Sequence, residues 1–554
     1  MDTLPPEIIA QIVEKFTEDQ KLAPFSTISR VWKASVERLT FKSLSVATSD
    51  LDELASLFNG DNISRRAALT SLRITVILPN PGNAMGCCPV VRTIDRAADS
   101  TAFSEAVVKL FSILADLEAR ATAQPPLSLA FPEGVRPSRT KEPHGSTKVP
   151  CMPGYGNHQH SRREVRETKA KFGQFELLHE TAIPTVYSVE TLDFLGYHDL
   201  SDLKLTWISA IVPRLPKLRK LILWRTDEYG DGRRKRVALR DQLSASLLSL
   251  AGEHLREIRI DVRHEPVKNE AMPVHKLVDS NQWSQESWFK VFNHLATFPN
   301  LAVLHLLGGL VICPQFFRGI IDQPRTPFPA LVDFELQFAP DTANGNWFYL
   351  RDDEAIESSR SDPEYEEFWE EKAKEDAQRE DDRHYHSDSS LSDDGVRVFE
   401  EEPVRTNVVD PNVFRTLPDT TTFLPFLTDA AKVVLRIPNL RKFVLKQGHK
   451  FSDYTDPDYF PIVSRVFELW YLKAGMPRSP KTAPTHYDPS VPGDTAYVDQ
   501  NRLYWRVDRW KLWDEVEAAW NDIAGPDAKV VFLEEEKWTT YGGWRDHQIY
   551  EGNF

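Results

Sequence analysis

Apolar positions in the first 45 residues fall at helical spacing. Ile8, Ile9, Ile12, Val13 and Phe16 recur at intervals of one, three, one and three residues, which gathers them on one helix face. Pro5 and Pro6 suit the first turn of that helix, where amide donors are unpaired anyway, and Glu7 complements the positive end of its dipole. Leu22, Phe25, Ile28 and Trp32 follow at three, three and four, which predicts a second amphipathic helix opened near Pro24. Val36, Leu39, Phe41 and Leu44 continue the apolar set. Three short helices in so few residues cannot close a sufficient core, so another domain or another protein is expected to cover part of this surface.

Further along, the pattern changes to Leu-x-x-Leu-x-Leu spacing. It occurs at Leu69, Leu72, Ile74; Val189, Leu192, Phe194; Leu218, Leu221, Leu223; Leu255, Ile258, Ile260; Leu301, Leu304, Leu306; Leu331, Phe334, Leu336; and Leu440, Phe443, Leu445. Pro216, Pro299, Pro329 and Pro438 each stand two residues before the first of these positions, and helical runs at Leu239 to Ala251 and Trp283 to Phe298 lead into two of the segments. A helix at Phe103 to Ala121 and a strand at Leu127 to Phe131 supply a further unit. Helix, Pro-x-Leu and short strand in succession read as an irregular α/β repeat, whose fold class is mixed α and β. Near the carboxyl terminus Tyr504, Trp505, Trp510, Trp513 and Trp520 are predicted to lie in one helix before a strand at Lys529 to Leu533, an aromatic block expected to cap the repeats.

Charge changes this picture in one place. The chain of 554 residues carries a net charge of -15, and residues 351–402 alone hold 21 acidic against 7 basic side chains. Such a segment buries too little apolar area to offset chain entropy and is expected to be an acidic, disordered insert. Ser390, with acid three residues later, is a candidate phosphorylation site within it. A polar stretch from about Pro132 to Gln174 reads as a loop. The acidic balance disfavours nucleic acid and anionic lipid as partners and leaves proteins. The most apolar run, Leu301 to Cys313, is about 13 residues long and broken by His305 and two glycines, too short to span a membrane. Four cysteines, two of them adjacent at Cys87 and Cys88, form no disulfide framework, and the amino terminus lacks the features of a signal peptide, so a cytoplasmic or nuclear location is expected.

Candidate chemistry is sparse. His158 and His160, with Cys151 nearby, lack a third and fourth ligand at recognisable zinc spacing, so neither a metal nor another cofactor is expected. The basic tetrad Arg233, Arg234, Lys235 and Arg236 reads as a surface loop beside Asp227, Glu228 and Asp231, or as a nuclear-import signal. The sequence has no Gly-rich phosphate loop, nucleophile elbow, paired helical histidines or Cys-x-x-Cys, so a binding protein is expected rather than an enzyme.

The order Leu4-Pro5-Pro6-Glu7-Ile8-Ile9, then Ile12, Leu22, Phe25 and Ile28-Ser29-Arg30-Val31-Trp32 resembles the F-box over roughly 40 residues, although Thr17 to Lys21 lacks the family's usual Asp-Pro turn. The resemblance implies a three-helix unit that docks on the Skp adaptor, and through it on a cullin, with Leu4, Pro5, Glu7, Ile8, Ile12, Leu22, Phe25, Ile28 and Trp32 as the adaptor-binding set. The following region is similar to the degenerate leucine-rich-repeat part of fungal F-box proteins, including the Thr40 to Leu44 link and the Ser71 to Ile74 strand. This implies an F-box at 1–45, an irregular leucine-rich-repeat-like solenoid at 46–350 with a loop at about 132–174, the acidic insert at 351–402, and a last repeat with the aromatic cap at 403–554. It further implies a substrate-recognition subunit of a ubiquitin ligase that holds a protein substrate on the solenoid. The alternative is an F-box scaffold with no role in degradation.

Overall fold

The computed structural model describes residues 4–15, 22–79, 95–135, 174–227, 232–264, 270, 274–354, 357, 415–447, 467–476, 497–507 and 510–532. At the amino end, helices α1 (Pro6–Lys15) and α2 (Arg30–Thr40) flank a 3-10 turn at Ala23–Thr27. The expected continuous helix from Pro24 to Trp32 is therefore broken. Ser29 takes an extended backbone and its Oγ accepts from the Trp32 amide at 3.4 Å, so the chain is capped anew at α2. Leu44, the last of the apolar set and the end of the Thr40 to Leu44 link, lies in the first strand. Ile9, Val13, Trp32 and Val36 form a small core of their own, with Ile12, Leu22, Phe25 and Leu39 packed against it.

The rest is mixed α and β. In chain order the strands are β1 (Ser43–Ala47), β2 (Ser71–Ile77), β3 (Leu127–Val135), β4 (Val189–His198), β5 (Lys220–Asp227), β6 (Glu257–His264), β7 (Val303–Leu310), β8 (Asp333–Phe338), β9 (Tyr349–Arg351), β10 (Arg415–Pro418), β11 (Lys442–Gln447), β12 (Phe467–Leu472), β13 (Arg502–Val507) and β14 (Lys529–Phe532). Twelve of them form one sheet in the order β1-β2-β3-β4-β5-β6-β7-β8-β11-β12-β13-β14, while β9 and β10 pair separately. From β1 to β11 every neighbour in the large sheet is parallel. Parallel neighbours need a crossover, and among the described residues an α-helix lies in each of these connections except that from β3 to β4, where only a 3-10 turn at Glu180–Ala182 is described: α3 (Leu51–Leu57), α4 (Arg96–Arg120), α5 (Trp207–Ile211), α6 (Gly232–Leu248), α7 (Ser287–Leu295), α8 (Arg318–Ile321) and α9 (Phe423–Arg436), with α10 (Asp514–Ala524) between β13 and β14.

Each of the seven Leu-x-x-Leu-x-Leu segments puts its second and third apolar residues in a strand, and the register aligns them. Leu72, Leu129, Leu192, Leu221, Ile258, Leu304, Phe334 and Phe443 are successive partners across eight strands, and all are fully buried. Because side chains alternate along a strand, the whole row faces the helices, and helix and strand residues share one continuous core.

The carboxyl block departs from the sequence reading. Tyr504 and Trp505 lie in β13, not in a helix, and α10 contains only Trp520 of the five aromatic residues, with Trp513 at its N-cap. The alternation Leu503-Tyr504-Trp505-Arg506 is a strand pattern: Trp505 enters the main core, while Tyr504 joins Val444, Trp470 and Leu472 on the other face of the sheet. Strand β12, absent from the sequence reading, is buried along its length and antiparallel to both β11 and β13. A run such as Phe467-Glu468-Leu469-Trp470-Tyr471-Leu472, apolar except for Glu468, suits a strand covered on both faces.

Most of residues 351–402, including Ser390, lies outside the described residues, as do Cys151, His158 and His160. The boundary at 351 nevertheless moves. Arg351 pairs with Arg415 in the antiparallel β9–β10 ladder, and the buried Asp352 carboxylate accepts from Thr416 Oγ1, so both residues belong to the folded part and the two ends of the insertion meet there.

Two outcomes follow from this architecture. Phe334, fully buried with its ring 5.5 Å from those of both Phe292 and Phe443, is expected to cost about 3–5 kcal/mol when truncated to Ala, read by chemical denaturation. Deleting 360–402 with β9 and β10 kept is expected to move the melting temperature by under about 3 °C, whereas deleting 351–402 removes Asp352 and lowers it further.

Candidate functional site

Three places in the molecule gather chemistry. The first is the amino-terminal helical unit. Of the nine residues the sequence singles out, Leu4, Pro5, Glu7, Ile8 and Ile28 are exposed, Ile12, Leu22 and Phe25 are half-buried, and Trp32 is interior at 5% exposure. Phe25 stacks on Trp32 with ring centroids 6.0 Å apart. The set therefore divides into a surface and its support: Trp32 and Phe25 hold α1 against α2, while Leu4, Ile8 and Ile28 stay outside, each 40% exposed, and Val31 joins them at 36%. An isolated exposed leucine needs no explanation; here four large apolar side chains stay outside on one small unit.

Arg65 ties this unit to the sheet. Its Nη2 lies 2.7 Å from Glu37 Oε1 on α2, Nη1 donates to the Leu57 carbonyl at the end of α3, and the guanidinium sits 4.8 Å from the Phe41 ring centre. Sequence reading missed this residue, since nothing local distinguishes Arg65 from its neighbour Arg66.

The second place is the sheet face away from the helices. A ladder of ion pairs crosses it: Lys220 with Glu257 at 3.1 Å, Lys442 with Asp333 at 3.0 Å, Lys446 with Glu335 at 2.8 Å and Arg506 with Glu468 at 3.7 Å, with His305 Nε2 3.2 Å from Asp333. Lys446 holds the Glu335 carboxyl below its usual range against the opposing effect of burial, which is the larger single influence on it. From β11 to β13 the face also carries an apolar cluster of Val444, Trp470, Leu472 and Tyr504.

The third lies at the carboxyl ends of β5 and β6. Arg236, which the sequence placed in a surface loop, is in α6 and only 1% exposed. It forks onto Asp227 at the end of β5, Nε to Oδ1 at 2.9 Å and Nη2 to Oδ2 at 3.1 Å. Its Nη2 also lies 3.3 Å from His264 Nδ1, and His264 Nε2 lies 2.9 Å from Asp341 Oδ1. A guanidinium only donates, so Nδ1 accepts and Nε2 carries the proton given to Asp341. Burial pushes the Asp227 carboxyl up more than any other single influence, but its hydrogen bonds and attraction to Arg236, with help from His264 and Arg240, outweigh that and leave it below its ordinary value. Asp341 is likewise held low against burial, mainly by His264.

A histidine between carboxylates invites a catalytic reading, yet Arg236 already occupies Nδ1 and the chain is sealed from solvent. The adjoining space lined by Arg225, Asp227, Arg240 and Trp288 amounts to about 10 Å³, no more than one water molecule. Its geometry suits fastening: it joins β5, β6, α6 and the segment after β8. Among the described residues, no group of three or more His, Cys, Asp and Glu is placed to hold a metal ion, and no helix is long and apolar enough to cross a membrane. No protein-family model matches the chain, and no curated protein matches it.

Removing one member of a buried pair strands the other, so Arg236→Met is expected to cost about 3–5 kcal/mol of stability. Asp227 and Asp341 both titrate lower folded than unfolded, so their contribution is complete above the unfolded value near about 3.9 and is lost as pH falls through the folded values. Acid unfolding monitored below pH about 4 is therefore expected to steepen in the wild type and to flatten in Asp227→Asn/Asp341→Asn.

Proposed function

We propose that this chain is the substrate-recognition subunit of a ubiquitin ligase of the Skp-cullin-F-box type. On this reading the amino-terminal unit is an F-box that docks on a Skp-type adaptor, and through it a cullin. The remainder is an irregular leucine-rich-repeat-like solenoid that holds a protein substrate. The observation that carries the reading is the apolar surface of Leu4, Ile8, Ile28 and Val31, displayed on a unit whose own small core is complete without them. These are positions of, or adjacent to, the motif that resembles the F-box. Support for a solenoid comes from β1 to β8, which are adjacent in chain order and parallel throughout, with an α-helix described in every connection but that from β3 to β4, since a chain that advances by one strand at a time builds a coil of stacked units.

The chain itself has no chemical step on this reading. It would bring a substrate close to ubiquitin-carrying partners, and proximity converts an encounter between two molecules into a reaction within one assembly. The Arg65 link matters here, because an adaptor-docking unit that swings freely would spread the substrate over many positions. A second reading, an F-box scaffold outside degradation, shares the docking step and differs only in the fate of what is bound.

Purification of the full chain from cells, compared with a form lacking residues 1–45, tests the proposal: adaptor and cullin are expected with the first and not the second. Truncating a docking anchor costs about 2–4 kcal/mol, so Leu4→Ala with Ile8→Ala is expected to weaken adaptor binding by some 30-fold or more; unchanged binding removes the assignment. Arg65→Ala is expected to leave adaptor and substrate binding intact and to lower ubiquitination of the bound protein. If bound proteins turn over at one rate with the intact and truncated chains, the scaffold reading replaces degradation.

A further inference from the structure

The ion-pair ladder on the face away from the helices has a gap. In β4 to β13 the carboxylates Glu190, Glu257, Asp333, Glu335 and Glu468 each have a cationic side chain within salt-bridge distance. Among the described residues Asp193 on β4 and Asp261 on β6 have none, and in each the Oδ1 atom is shut off from solvent without a hydrogen-bond partner. The nearest strand cation to Asp193, Lys220, is engaged by Glu257. Gly308 on β7, with φ +87°, lies close enough to Asp261 that an added Cβ would sit 2.5 Å from Oδ1, so the carboxylate has little room on the β7 side.

Between the two aspartates runs β5. Ile222 is the register partner of Asp193 and Trp224 that of Asp261, so the half-buried Trp224 indole lies on the same face, between the carboxylate strands. It already serves as a platform for a cation, since the exposed Arg263 guanidinium sits 5.5 Å from its ring centre. Burial without a close counter-charge pushes both carboxyls above their ordinary value, with Lys220 and Arg73 only partly offsetting this at Asp193, and Arg263 at Asp261. Half-buried carboxylates left in this condition work against folding, and a charge that works against folding is commonly kept for binding.

We propose that the β4–β6 part of this face receives a basic segment of a partner protein in extended form, with one lysine or arginine at Asp193 and a second at Asp261, across the Trp224 indole. The proposal rests on the substrate-binding reading and names the substrate's chemistry. Two strand spacings of about 4.8 Å, combined with an offset of two residues along the strands, separate the carboxylate positions by roughly 12 Å. In an extended peptide that is the span between residues i and i+4, at about 3.3 Å per residue. Opposite charge and matching spacing are what favour this occupant over an apolar one.

The test uses the full chain and fluorescently labelled nine-residue peptides of serine and glycine with lysines at positions 3 and 7, read by anisotropy at low salt. Binding is expected to weaken about tenfold or more in Asp193→Asn and in Asp261→Asn, as for loss of a charge-assisted hydrogen bond, and to stay unchanged in Glu190→Gln. A peptide with lysines at positions 3 and 4, or with glutamines in their place, is expected to bind more weakly. Both Asn variants are expected to melt at or above the wild-type temperature, whereas a purely structural role would lower it. Equal binding by wild type and the Asp193→Asn/Asp261→Asn double variant overturns the proposal, as does no binding at millimolar peptide. Binding that emerges only after residues 136–173 are deleted also overturns it, and assigns the site to this chain's own basic segment. Since no adaptor is present, failure here leaves the adaptor-docking reading standing, and failure of adaptor purification leaves this result standing.

Discussion

The register of the large sheet is the constraint on which the rest depends. Leu44, Leu72, Leu129, Leu192, Leu221, Ile258, Leu304, Phe334, Phe443, Tyr471, Leu503 and Val530 are consecutive partners from the first strand to the last. A slip of one residue in any strand would turn its core side chains to the opposite face and bring that strand's charges under the helices, at a cost no local rearrangement offsets. The same alternation that builds the core therefore fixes what the second face displays: Arg259, His305 and Glu335 stand in one row because Ile258, Leu304 and Phe334 stand in the next.

Fastening at the strand ends complements this register. The chain Asp227, Arg236, His264, Asp341 links residues up to 114 positions apart in sequence through successive donors and acceptors. At the opposite side of the insertion, Glu270 accepts from the Arg415 amide and Arg415 sits 5.1 Å from the Trp347 ring centre, so the small β9–β10 ladder is held to the main body by polar contacts. Such contacts let the chain carry a long acidic insertion without disturbing the sheet, because its two ends leave from one anchored point.

Function, on the reading proposed here, is divided in the same way as the cores. The amino-terminal unit keeps its own small core and leaves apolar side chains outside, while the sheet buries its apolar rows and leaves charge outside. Apolar docking tolerates a partner of fixed shape, and charged rows discriminate among partners by sign and spacing, which fits a constant adaptor at one end and a selected substrate at the other.

What the sequence determined by itself was periodicity. The spacing of Leu221 and Leu223, or of Phe443 and Leu445, identified the core residues of a strand, because a half-buried strand must alternate and a nearby Pro-x-Leu ends the preceding helix. The apolar residues of the amino-terminal unit were legible for the same reason, but not their division between Trp32 inside and Ile8 outside, which depends on how α1 and α2 cross. Tertiary structure alone decided that Arg236 is buried on Asp227 rather than set in a loop, and that β12 enters the sheet antiparallel. It also decided which carboxylates find a partner: Glu335 and Asp261 look alike in sequence, and only the neighbouring strand supplies a lysine to one and not to the other. Pairing across strands is a property of residues distant along the chain, and no local pattern encodes it.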